Sequence, residues 1–140
     1  MPGDKSPARV AAEWVVKADN DLKNATHTLK LGQACPADTV CFHAQQCAEK
    51  YLKAYLVFLR LDFPKTHEIE KLISLLPAGA RPKLRVEEQA RLTEYAVTPR
   101  YPGWREVTLA EARRAVPLAR RVRKHVRSLL PKDALRPRQR

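Results

Sequence analysis

No run in this 140-residue sequence approaches the ~18 consecutive apolar residues that a membrane span needs. The opening MPGDKSPARV has no apolar core, so no secretion signal is expected there. Glycine is scarce, at four residues, and none of it forms a phosphate-cradling loop. There is no internal repeat, and no strand-like alternation of apolar and polar residues. Cysteine is limited to Cys35, Cys41 and Cys47. An odd set at six-residue spacing fits neither a disulfide framework nor a zinc site, so no metal or other cofactor is expected. Cys41 and Cys47 fall on an apolar helical surface and read as small core residues of a reducing, cytoplasmic compartment.

Acidic residues are the other shortage: 15 Asp and Glu against 27 Lys and Arg give a net charge of +12. The imbalance is local. Arg113 to Arg140 holds eleven bases and one acid, whereas the first 112 residues carry a net charge of only +2. A segment this basic attracts polyanions through counterion release. RNA, DNA or an acidic protein would each satisfy it, and so would plain solvent on a helix face.

What remains is helical. Ser6-Pro7 is a capped helix start, and Ala11, Trp14, Ala18, Leu22, Ala25 and Leu29 recur at steps of three and four up to Gly32. A second helix is predicted from Asp38-Thr39 to about Leu61, with the stripe Cys41, Ala44, Ala48, Tyr51, Tyr55 and Leu59. Cys47, Ala54 and Phe58 widen that stripe, which marks this helix as central. A third is predicted from Thr66 to Leu76, with His67 in its first turn, and a fourth from Leu84 to Val97. The fifth opens on the capping box Thr108–Glu111 and buries Leu109, Ala112, Val116, Ala119, Val122, Val126 and Leu129. Pro117 should kink or split it. The fold class is therefore all-α, a five-helix up-and-down bundle over residues 9–130. A short arm (1–8) precedes it, and a basic tail (131–140) follows, where disorder is expected.

Four polar residues of the second helix, His43, Gln46, Lys50 and Lys53, share one face and could hold a phosphate or a base edge. They could equally be its solvated side. Pro99 and Pro102 stiffen the backbone around Arg100 and Tyr101, beside Trp104. That loop suits phosphate contact and stacking, or pairing of Arg100 with Asp19 or Asp21.

The run from Cys41 to Leu56, CFHAQQCAEKYLKAYL, resembles the signature helix of prokaryotic HEPN domains. Ala18-Asp19 with Asp21-Leu22 resembles that family's first helix. Lys65-Thr66-His67 resembles its Thr-His turn, Arg100-Tyr101-Pro102 its Arg-Tyr-Pro loop, and Glu111-Ala112 its last helix. The resemblance implies a five-helix bundle, usually a homodimer, often encoded beside a minimal nucleotidyltransferase, with roles in nucleotide binding or toxin–antitoxin-like systems. It points to His43, Gln46, Lys50, Lys53, His67, Arg100 and Tyr101 as nucleotide or phosphate contacts.

Catalytic branches of the family are metal-independent ribonucleases with an Arg/His pair at a dimer interface. Arg120 with His125, and Arg60 with His67, meet the spacing but lack the usual polar neighbour after the arginine. The expected function is a non-catalytic HEPN-type binder of a nucleotide or RNA, acting with a nucleotidyltransferase. The alternatives are an endoribonuclease toxin using Arg120 and His125, or a dimerisation module with a nucleic-acid-binding tail.

Overall fold

The computed structural model describes residues 6–97, 102–103 and 105–136. The Ser6 hydroxyl accepts from the Arg9 amide at 3.3 Å, and Pro7 takes the first helical position, where no amide bond is lost. From there α1 (Pro7–Leu29) buries Ala11, Val15, Ala18 and Ala25. A 3-10 turn, Gly32–Ala34, with Gly32 at φ 62°, leads into α2 (Ala37–Phe58). Fourteen of the 22 residues of α2 are buried, which makes it the axis of the fold. It packs between α1 and α5 (Leu109–Leu129). The smaller α3 (Ile69–Leu75) and α4 (Val86–Glu94) pack on each other and on α2. All six α-helices among the described residues, and no strand, agree with the all-α bundle read from the pattern.

The second helix stops three residues earlier than the periodicity suggests, and its ending shows why. Arg60 adopts φ 60°, the Arg60 amide donates to the Val57 carbonyl at 3.0 Å, and the Leu61 amide donates to the Leu56 carbonyl at 2.9 Å. This is a Schellman ending with arginine at the position that favours glycine. Arg60→Gly is therefore expected to stabilise the protein by about 0.5–1 kcal/mol, read as a raised midpoint in urea. An unchanged or lowered midpoint would mean that the left-handed arginine is not strained.

Three other elements depart from expectation. The third helix begins at Ile69, because the Thr66 hydroxyl accepts from the Glu68 amide in a local turn instead of capping a helix. His67 thus precedes the helix. Pro117 does not split α5, which continues through it because Leu118, Ala119, Val122 and Val126 are buried beyond it. In place of disorder directly after Pro131, Lys132–Leu135 forms α6, whose Ala134 is fully buried and which packs against α1. Among the described residues, no helix is long and apolar enough to cross a membrane.

Candidate functional site

The polar face of α2 is present, but two carboxylates of the chain itself divide it. His43 and Lys50 both reach Asp21 of α1, at 2.8 and 2.6 Å. Gln46 and Lys53 turn instead to Glu49, at 3.4 and 3.0 Å. The anion that this face addresses is in each case an internal one.

Glu49 is the hub of the larger group. It is only 3% exposed, and it also accepts from Gln45 at 3.1 Å and from His67 Nδ1 at 2.8 Å. The Gln45 amide donates a second bond to the His67 carbonyl at 3.0 Å, and its own carbonyl accepts from Gln46 at 2.7 Å. Lys53 lies 5.8 Å from the Trp14 ring centroid and 5.7 Å from that of Phe63, within cation–π range of both. The cluster therefore joins α1, α2 and the segment ahead of α3. Among the described residues no buried side-chain polar atom lacks a partner, so the arrangement is one of orientation and locking.

Two further hubs escaped the sequence reading. Asp19 accepts from the Tyr51 hydroxyl and from Arg123 Nε at 2.9 Å, with Arg127 at 3.6 Å. These arginines of α5 supply the basic partner that was sought in Arg100. A signal was available: Arg123 and Arg127 each follow a buried valine, Val122 and Val126, at the edge of the apolar stripe. Glu111 accepts from the Tyr95 hydroxyl at 2.8 Å, from the Thr108 amide at 3.0 Å, and from two nitrogens of Arg105 at 2.8 and 2.9 Å. The bonds from Arg105, helped by those from Thr108 and Tyr95, hold the Glu111 carboxyl at about 2 against the opposing effect of burial. Arg100, Tyr101 and Trp104 lie outside the described residues.

The cysteines are unpaired. Burial, then the charge of Glu111, pushes the Cys41 thiol up to about 12, and burial raises Cys47 as well, so both remain inert core thiols. No group of three His, Cys, Asp or Glu among the described residues could hold a metal ion.

Arg120 and His125 share α5, but a five-residue step separates them by roughly 140° around the axis. Arg120 is exposed, whereas His125 Nε2 donates to the Ala80 carbonyl at 2.6 Å. Within one chain the two do not converge. Arg60 is likewise exposed, and His67 is held by Glu49. What α5 does present to solvent is a basic face: Arg113, Arg114, Arg120, Arg121 and Lys124 are all exposed. Of these, Arg121 meets Glu88 at 3.2 Å, and the other four have no acidic partner among the described residues. From Arg113 to Lys124 the face extends about 16 Å along the helix. A groove of about 410 Å³ between α4 and α5, bordered by Arg85, Arg91, Arg113 and Arg114, continues it sideways.

The geometry has counterparts among known proteins. The crystal structure of TT1696 from Thermus thermophilus is similar at 28% identity and a TM-score of 0.72, covering 86% of this chain and 98% of that one. The crystal structure of an archaeal HEPN homologue shares the fold at 24% identity and a TM-score of 0.69, covering 91% and 100%. No curated protein matches the sequence. The HEPN domain family model matches residues 11–129, which is the bundle from the first buried alanine of α1 to the last residue of α5. The chain belongs to the HEPN domain family.

Proposed function

We propose that this HEPN domain binds RNA through the basic face of α5 and has no catalytic centre of its own. The observation that supports this is the unmatched charge: the acids of α1, α2 and α4 neutralise their own neighbours, while Arg113, Arg114, Arg120 and Lys124 have no acidic partner among the described residues. Cations arrayed along one helix suit a phosphate backbone, which positions the ligand without reading its sequence. His43, Lys50 and Lys53 then orient the bundle, their charge already met by Asp21 and Glu49. In the cytoplasm such a domain would work as a homodimer beside a minimal nucleotidyltransferase, in a toxin–antitoxin-like pair.

Fluorescence anisotropy with a single-stranded RNA at several salt concentrations tests the reading. Arg113→Ala, Arg114→Ala and Arg120→Ala together should reduce the slope of log K against log salt by about 2, since each phosphate contact on a single strand contributes roughly 0.7. Lys50→Ala should leave affinity within about twofold, because it touches no phosphate. A slope unaltered by the triple variant would sink the proposal.

A further inference from the structure

We propose that a cleft beside the basic face, between the 79–84 segment and the C-terminal half of α5, is a subsite for one nucleotide unit. The inference rests on the RNA-binding reading and specifies where a single nucleotide, free or at the end of a strand, is held. The cleft has a volume of about 440 Å³, inside the range of small-molecule sites, roughly 300–1,000 Å³.

Its walls combine the two surfaces that a nucleotide needs. Pro82 and Leu84, both buried, provide an apolar wall for a base ring. Lys83 from the segment and Lys124 from α5 line the same cleft, and neither has an acidic partner among the described residues. Lysine ammoniums bind phosphate as point charges. No acidic side chain lines the cleft, so an anion enters unopposed. His125 adds direction: its Nε2–H is committed to the Ala80 carbonyl, which leaves Nδ1 of the neutral ring an acceptor for a hydroxyl or an exocyclic amine.

The cleft is also preformed. Arg121 donates to the Lys83 carbonyl and so ties α5 to the segment. Arg81 donates to the carbonyls of Leu76 and Ser74, both at 3.0 Å, and holds the preceding turn. A site held open in this way loses little ordering entropy on binding. Because Arg121 lines both this cleft and the α4–α5 groove, a strand seated by its end nucleotide continues onto the basic face.

Gly79 supplies the test. It lines the cleft, nothing lies within 4 Å of where its Cβ would stand, and its φ is not in the left-handed range. Gly79→Trp should therefore plug the cleft without disturbing the bundle, and Lys83→Ala removes a phosphate contact outside α5. Adding AMP to ¹⁵N-labelled protein should shift the amides of Gly79, Lys83, Leu84 and His125, and Gly79→Trp should abolish those shifts. For a 5′-phosphorylated RNA octamer, each variant should lose about tenfold in affinity, with the salt slope nearly unchanged for Gly79→Trp.

Wild-type affinity in both variants, or AMP shifts that avoid residues 79–84, would overturn the subsite. Equal shifts with inorganic phosphate alone would overturn its base-binding half. If the octamer fails to bind while AMP still shifts these amides, the basic-face reading falls and the subsite stands. Octamer binding lost only in the α5 triple variant has the opposite meaning.

Discussion

Glu49→Ala is expected to destabilise the protein by about 3–5 kcal/mol, because it strands a buried ammonium. Lys53 is 8% exposed, and Glu49 is the carboxylate that meets it, at 3.0 Å. The rings of Trp14 and Phe63 attract the ammonium as well, but a cation–π contact contributes only about 0.5–2 kcal/mol and does not replace a counter-ion. The same substitution removes the acceptor of His67 Nδ1 and one acceptor each of Gln45 and Gln46. Set against a total stability of about 5–15 kcal/mol for a domain, the loss is a large fraction. Urea unfolding measures it directly. Glu49→Ala combined with Lys53→Met should recover much of the loss, since an apolar side chain in that place strands no charge. A single-variant loss below about 1 kcal/mol would show that Lys53 reaches water easily, and the cluster would then not be a lock.

The second large effect concerns Glu111 and carries a pH signature. Glu111→Ala leaves the Tyr95 hydroxyl, the Thr108 amide and the Arg105 guanidinium without their shared acceptor, and an expected loss of about 2–4 kcal/mol follows. The folded carboxyl titrates at about 2, below an ordinary glutamate at about 4.3. A lowered folded pKa means that the unfolded chain takes up the proton first. The stabilisation is therefore complete above about pH 5 and is lost as pH falls towards 2. Urea midpoints of the wild type should fall steeply across that window, and those of Glu111→Gln should fall less. Parallel pH curves for the two proteins would remove Glu111 from the acid sensitivity of the fold.

Both effects bear on function through the same arithmetic of charge. Each buried acid faces bases close by, and those bases are thereby withdrawn from ligand binding. Asp21 engages Lys50, Glu49 engages Lys53, and Asp19 engages Arg123 and Arg127. The surplus left over is concentrated on the solvent side of α5, and the proposed RNA contact sits there for that reason.

Much of this architecture is legible in the residue pattern. The stripes of the first, second and fifth helices, the Ser6 and Thr108 caps, the central position of α2 and the HEPN resemblance all come from spacing that is local in the chain. Shorter elements are less legible: α3 and α6 have seven and four residues, too few for a period to declare itself, and tertiary contacts hold them. The early end of α2 is invisible for another reason, because arginine at a left-handed position carries no compositional signal.

Helical periodicity states which side chains of one helix share a face, since that depends only on the turn of the backbone. It does not state what lies opposite. That His43 and Lys50 meet Asp21, that Gln46 and Lys53 meet Glu49, and that Asp19 meets Arg123 across 104 residues of chain follow from how the helices are laid side by side. A charge is available to a ligand only when its own fold has not already matched it, and that matching belongs to the packed bundle.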